Sequence, residues 1–554
     1  MLKKFIANYR SLIIIACFCI PLFINLGANS LWDGNEGFYA EPPREVVESG
    51  NYLIPTYNYQ PRLKKPPLAT WLIAGSYKLW GVNEWASRLP AAWAAALIIY
   101  LTYLIGKQWY QESIGLFAAL ILATMLKFMI YVRQFSGDIL LTFFVTLTLL
   151  LLARASTEPV GKSQYLYKLL AYITIGLGIL DKGIIAIAIP LTIMGLFMLI
   201  TRQWGLLKLI VSPTGYIVMM AIGFSWYLLM YQQYGGQFIK VNIIQETVQR
   251  YTSDSLGGKP IYYYIQIYLA ETLPWSLFTI PALAYWYYWL KRELSQLKQR
   301  ELKSCLPLLP LVWFGFILIF FSLSIGKRAV YILPLYPAAA LMISHYWHKG
   351  LEEVYLLKIH RFIAYTLGIS TLLAAIFIGV ASQQLLAISP STMVMPMIVL
   401  TIMALGLIST TYQNAMPQQG KFLTLVSLIF TLSITLVMPQ LEVYRPVRNF
   451  AGIIKATTPK TTSVGTFFID TPSLMFYVER PIFQSWDFTD MVAHLEQEPQ
   501  VYFITRLDYL EQLQQHTHIP LKIIAKQPLL QLRWGNFGGL GKTPTVQMIL
   551  VCKA

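Results

Sequence analysis

Acidic and basic side chains gather at a few places where apolar runs meet more polar sequence. The first is Trp32-Asp33-Gly34-Asn35-Glu36-Gly37-Phe38-Tyr39-Ala40-Glu41. Carboxylates flanked by glycines at the mouth of a helix can accept a proton or hold a cation, and the glycines let the backbone approach a ligand closely. The same residues also suit a capping turn, since Asp and Asn are favoured at helix starts. The second place is Arg62, Lys64 and Lys65 before Pro66-Pro67. Such cations can bind a phosphate, Lys as a point charge and Arg as a two-pronged fork, or can snorkel to ordinary lipid headgroups. The third is Arg133 with Asp138 in Ser136-Gly137-Asp138, where the carboxylate can also simply cap the following helix. Lys327-Arg328 repeats the pattern of a cation before an apolar helix, and Arg250-Tyr251 adds another cation. Together these groups suit a ligand with an anionic phosphate and a long apolar tail, the cations offsetting charge that develops on the phosphate.

Composition says where such groups must work. Of 554 residues, 56% are hydrophobic and 12% charged, about half the charged share of a soluble domain. The chain contains about thirteen apolar runs near the length needed to cross a bilayer. A net charge of +17 reads as contact with anionic lipid and cytoplasmic loops rather than nucleic acid. Arg154/Lys162/Lys168, Arg202/Lys208, Lys291/Arg292/Lys298/Arg300/Lys303 and Lys349/Lys358/Arg361 fall on alternate connections. That pattern predicts a cytoplasmic N-terminus, with the first loop, the 231–261 loop and the C-terminus outside a bacterial inner membrane. The first apolar run, near Leu12 to Leu26, has no small-residue cleavage site after it and reads as a retained helix. Cys17, Cys19, Cys305 and Cys552 have no CxxC spacing, so no zinc ribbon or disulfide framework is expected.

The elements that must position the chemistry follow. Residues 1–440 form the membrane part. Within the first outer loop, 29–85, a helix over Phe38 to Ser49 carries Glu41, Arg44, Glu45 and Glu48 on one side and suits the membrane surface. A run from Leu68 to Trp80, opened by Pro66-Pro67, is too short to span. Residues 231–261 read as a polar outer loop. Residues 441–554 read as a small soluble α/β domain, with strands over Val464 to Ile469, Leu474 to Val478, Val501 to Thr505, Leu521 to Ile524 and Val546 to Val551. Helices are expected at Thr489 to Glu496 and Leu507 to Gln515. No internal repeat is visible, which speaks against many transporter folds.

The ordered segments Glu36-Gly-Phe-Tyr-Ala-Glu41, Pro43-Arg-Glu45, Glu48-Ser-Gly50, Lys65-Pro-Pro-Leu68, Gly137-Asp-Ile-Leu-Leu-Thr-Phe-Phe144, Lys182-Gly183 and Tyr331-Ile-Leu-Pro334 resemble the phospholipid-carrier-dependent glycosyltransferases. That family includes the lipid A 4-amino-4-deoxy-L-arabinose transferase and the protein O-mannosyltransferases. The resemblance implies a polytopic GT-C-like membrane domain with interfacial helices in the first outer loop and a soluble outer C-terminal domain. It implies a glycosyltransferase using a polyprenyl-phosphate sugar, with lipid A, another glycan or a protein as acceptor. It makes Lys65 the phosphate-binding lysine, with Arg250 and Tyr331 as partners, and Asp138 the second acidic position; the residue pattern adds Arg62 and Lys327 as further cations for the carrier phosphate. Asn35 falls opposite the family's catalytic aspartate and cannot act as a base. Either Asp33, Glu36 or Asp138 supplies the carboxylate or the acceptor is activated in another way, and Asp33 with Asp138 is the preferred pair. Where relatives carry candidate ligands for a divalent ion, this chain reads Lys64 and Gln245-Glu246. The expectation is an ion pair between Lys64 and Glu246 in place of metal. A lipid-linked sugar transporter and a catalytically inactive scaffold are the rival readings.

Overall fold

The computed structural model describes residues 2–253, 258–293, 300–384, 390–530 and 545–553. Among these, eight helices are long and apolar enough to cross a bilayer, and Glu112–Ala123 with Leu126–Arg133, bent by 59°, adds a ninth if it forms one span. The remaining expected spans correspond to the short apolar helices Tyr9–Leu22 and Ile185–Thr201 and to Lys162–Lys182 and Trp275–Glu293, which are diluted by charges or by Tyr and Trp. The most enclosed helices are Ala329–Glu352 and Gly137–Thr157. They sit at the centre because their side chains pack on every side, so their sequences are apolar all round rather than on one stripe.

The first loop is built as expected in outline and differently in detail. The helices Gly37–Ser49 and Leu68–Trp80 are present, joined through a small hairpin pairing Thr56–Tyr57 with Gln60–Pro61. Apart from Glu48, which is exposed, the charged side of Gly37–Ser49 does not face water or headgroups. Glu41, Arg44 and Glu45 are buried under the hairpin, where Arg44 binds Glu41 at 2.6 Å and Glu48 at 2.7 Å. Glu45 accepts from the Thr56 hydroxyl and, at 3.1 Å, from the Tyr59 N–H. Spacing of three and four residues lines these groups up along one helix face, and burial of ions requires such complete pairing.

Residues 231–261, expected as a loop, are mostly helical where described; Gly257 and residues 254–256 lie outside the described residues. The helix Ser225–Phe238 breaks at Gly235, whose φ of 52° suits only a residue without a Cβ. It continues as a wide π-turn segment, Ile239–Gln249, a form that recurs at functional positions.

The C-terminal part holds a five-stranded sheet in the order Phe483–Ser485, Ser463–Phe467, Val501–Arg506, Thr545–Lys553, Leu521–Leu530. The first three strands are parallel and the last two antiparallel. Leu474 to Val478, expected as a strand, is instead the helix Ser473–Val478. Its short apolar run is buried all round, and periodicity alone does not separate a buried strand from a buried helix. Both other expected helices form, as Phe488–Gln497 and Leu507–His516.

The sheet is bolted to the first loop. Asp33 accepts from the Ser473 N–H at 3.1 Å and from its hydroxyl. Asn58 donates to the Ile482 carbonyl at 2.8 Å and accepts from its N–H at 2.9 Å. Tyr477 donates to Glu84 at 3.0 Å and accepts from the Leu31 N–H at 2.7 Å. Gly37 lies so close to Pro472 and Ser473 that a Cβ there would sit 2.6 Å from their backbone.

Candidate functional site

Loops and helix ends meet around a cavity of about 900 Å³. Among the described residues its wall carries six cations, Arg62, Lys64, Lys65, Lys182, Arg250 and Arg328, against two carboxylates, Asp138 and Glu246. Apolar side chains including Ile184, Val248 and Phe320 complete the wall, with Ile184 and Val248 largely exposed.

Two charge clusters organise it. In the first, Glu246 binds Lys65 at 2.9 Å and grips Arg250 with both oxygens, at 3.0 and 3.1 Å. Arg250 reaches the Tyr331 hydroxyl at 3.5 Å. The π-segment is tied to the first loop by Asn242, which donates to the Leu63 carbonyl at 3.0 Å. Burial pushes the Lys65 ammonium down to about 8, against the pull of Glu246 and with Arg250 and Lys182 adding to the push. Burial also acts to raise Glu246, but Lys65 and Arg250 hold its carboxyl below the usual range.

The second cluster joins two helix ends. Asp138 stands in the first turn of Gly137–Thr157, capped by Ser136, whose hydroxyl donates to it at 2.9 Å. Lys182 is the last residue of Lys162–Lys182 and binds Asp138 at 2.9 Å. An anion at a helix start and a cation at a helix end each complement the local backbone dipole, so this pair forms where two neighbouring helices present opposite ends to the cavity. Asp181, adjacent in sequence, is buried, and both its oxygens lack a hydrogen-bond partner among the described residues.

The expected site residues divide. Lys65, Arg250, Tyr331, Arg62, Asp138 and Asn35 line one cavity. Arg62 spans the first loop, donating to the Phe38 carbonyl and lying 5.8 Å from the rings of Tyr39 and Tyr57. Asn35 accepts from Arg328 at 3.4 Å. Asp33 is turned away to Ser473, because the buried N–H and hydroxyl at that docking contact need an acceptor. Glu36 is also diverted, paired with Arg88 at 2.5 and 2.9 Å. Arg88 further donates to the carbonyls of Leu26, Asn29 and Ser30 at 2.7, 2.9 and 3.0 Å. That pair is scaffolding for the loop. Lys327 is buried and donates to the Ser324 carbonyl, leaving Arg328 to face the cavity.

The ion pair expected between Lys64 and Glu246 is made by Lys65, while Lys64 is exposed on the cavity rim. Gln245 is exposed and outside the lining. With Glu246 fully engaged by two cations and Lys64 where a ligand would stand, this donor set does not fit a divalent ion. Lys182 lines the site without having been assigned a role from sequence, and of the Lys327-Arg328 pair it is Arg328 that reaches the cavity. The usable signal was a lysine closing an apolar run, since an ionisable group at a span's end is costly without a partner.

Comparison with known proteins accords with this architecture. Residues 64–228 match the family model described as dolichyl-phosphate-mannose-protein mannosyltransferase. The chain is 30% identical over 488 residues to an uncharacterised protein of Aquifex aeolicus, covering 87% of this chain and 88% of that one. It is 26% identical over 434 residues to an undecaprenyl phosphate-alpha-4-amino-4-deoxy-L-arabinose arabinosyl transferase of Pseudomonas savastanoi pv. phaseolicola, covering 76% and 78%. The crystal structure of ArnT from Cupriavidus metallidurans bound to undecaprenyl phosphate superimposes with a TM-score of 0.75 at 18% identity, covering 98% of each chain. The chain therefore belongs to the phospholipid-carrier-dependent family of GT-C membrane glycosyltransferases.

Proposed function

We propose that this chain transfers a sugar from a polyprenyl-phosphate carrier to a hydroxyl group outside a bacterial inner membrane, with its N-terminus in the cytoplasm. The observation that carries the reading is the cavity's charge, six cations against two carboxylates among the described residues, beside apolar walls. Lys65, Arg250 and the Tyr331 hydroxyl hold the carrier phosphate, and the polyprenyl tail leaves past Ile184 and Val248. As the bond from the anomeric carbon to the phosphate oxygen breaks, its electron pair stays on the phosphate, where the cations stabilise it. The acceptor oxygen bonds to that carbon and its proton passes to Asp138, the carboxylate of the cavity that is not already shared by two cations.

For the acceptor we favour lipid A or a related glycolipid and, for the sugar, an amino-pentose. Support comes from the relatives named for aminoarabinose transfer and from coverage that includes the C-terminal sheet. The mannosyltransferase-type match spans Lys65, Asp138 and Lys182, which are the carrier-handling side chains in this scheme, and so bears on the donor rather than the acceptor. Transfer from a radiolabelled polyprenyl-phosphate sugar in membranes should collapse in Lys65→Ala and Asp138→Ala. Equal transfer by both variants overturns the site, while donor translocation without transfer supports a transporter. Mass spectrometry of lipid A, outer glycans and outer proteins from cells lacking the chain identifies the acceptor.

A further inference from the structure

Beyond the cavity, the C-terminal sheet gathers aromatic and polar side chains at one place. Its three parallel strands are neighbours, with Ser463–Phe467 between Phe483–Ser485 and Val501–Arg506. The chain leaves the central strand through helix Ser473–Val478 to one side, then returns through helix Phe488–Gln497 to the other. In sheets wound this way ligands bind outside the carboxyl ends of the strands, where the connections diverge. Here those ends carry Phe468, Trp486 and Tyr509. Phe468 stacks on Tyr509 with centroids 4.9 Å apart and planes at 20°, and Trp486 stands edge-on to Phe468 at 6.4 Å. Trp486 is 53% exposed. Phe468 adopts a φ of 49°, a left-handed backbone unfavourable for a bulky residue and concentrated at binding sites.

Polar groups follow or precede the same strand ends. Gln484 donates to Asp470 at 3.4 Å, and Arg506 forms a two-pronged pair with Asp508 at 2.6 and 3.0 Å while lying 5.0 Å from the Tyr509 ring. Asp470 and Gln484 also line a cleft of about 90 Å³ against Phe38 and Tyr57 of the first loop. Thr471 lies in the same cleft, is 3% exposed, and its hydroxyl lacks a hydrogen-bond partner among the described residues. Phe38 and Tyr57 form part of the main cavity wall as well. The cleft and the cavity thus share a pair of side chains, and Asp470 and Gln484 place the cleft beside the strand ends that carry the rings.

We propose that this strand-end surface is a carbohydrate-binding platform that holds the glycan of the acceptor while its hydroxyl reaches the cavity. A sugar ring presents an apolar C–H face and a rim of hydroxyls. The first matches the exposed Trp486 face, and the second matches Asp470, Gln484 and the orphan Thr471 hydroxyl. The proposal rests on the glycosyl-transfer reading only for the statement that its ligand is the acceptor.

The test uses the full chain in lipid nanodiscs with a glucosamine disaccharide as probe. Saturation-transfer NMR should show ring protons of the probe receiving magnetisation from the wild-type protein, and Trp486→Ala and Gln484→Ala should each lose that signal; both positions are exposed, so folding is retained. Trp486→Ala should also raise the acceptor KM about tenfold, the scale of one aromatic contact, leaving the donor KM unchanged. No probe signal from the wild type, or a signal that survives both substitutions, overturns the platform. Failure of Lys65→Ala to impair transfer would instead overturn the cavity assignment, while the NMR result would stand by itself.

Discussion

Exchanging Lys182 for methionine keeps the length of the side chain and leaves Asp138 without its cation. The two groups lie 2.9 Å apart at 17% and 7% exposure. At an effective dielectric of about 20 that separation corresponds to roughly 6 kcal/mol of gross attraction. Desolvation offsets most of this, and removing one member of a buried pair costs about 3–5 kcal/mol because the other charge stays buried alone. Lys182→Met should therefore lower thermal stability markedly, and Asp138→Asn in the same chain should restore part of the loss. Activity should follow another pattern. Asp138→Asn removes the proposed proton acceptor and should cut transfer by about 10²–10⁴-fold. Lys182→Met should cut it less, and the double variant should fall no further than Asp138→Asn, since groups that act as one unit are not additive. The assay is initial-rate transfer from a radiolabelled polyprenyl-phosphate sugar in nanodiscs, with unfolding followed in parallel. Wild-type rates in Asp138→Asn, or losses that multiply in the double variant, refute the pairing.

Other expectations concern the first loop. Asp33→Ala should loosen the sheet, raising hydrogen exchange at the start of helix Ser473–Val478 by the equivalent of about 1–3 kcal/mol, with transfer largely retained; loss of transfer without a change in exchange would return Asp33 to the chemistry. Arg88→Met strands a buried carboxylate and several carbonyls, so it should cost about 3–5 kcal/mol and reduce the yield of folded protein; a normal melting temperature would contradict a scaffolding role. Lys65 has its ammonium depressed to about 8, so donor binding should weaken as pH rises through that value and Lys65→Arg should remove the dependence. Stability should move oppositely: between about 8 and the ordinary lysine value the unfolded chain binds the extra proton, so folding is favoured by raising pH. A donor KM flat from pH 7 to 9 would count against Lys65 as the phosphate ligand.

Much of this architecture was legible from one-dimensional signals. Span-length apolar runs, the Pro66-Pro67 opening of Leu68–Trp80 and the polar spacing in Gly37–Ser49 are local properties, and the corresponding helices form. Lys65, Arg250, Tyr331 and Asp138 share a cavity as the motif resemblance implied. Errors arose where a side chain had a choice of partner. Leu474 to Val478 carried no period to distinguish helix from strand, and the choice between Lys64 and Lys65 turned on which neighbour pointed at Glu246.

The sequence by itself determined that the bilayer is the main solvent, that cations outnumber carboxylates near the helix ends, and that a C-terminal α/β part follows the spans. Those are sums and periodicities, insensitive to distant contacts. Only the tertiary structure decided which carboxylates are available. Asp33 and Glu36 stand beside Asn35 in the chain, yet one is taken by Ser473 and the other by Arg88, while Asp138 arrives from a distant helix and keeps its place against the cavity. A buried charge goes to whichever partner best offsets its desolvation, and that partner is chosen by packing.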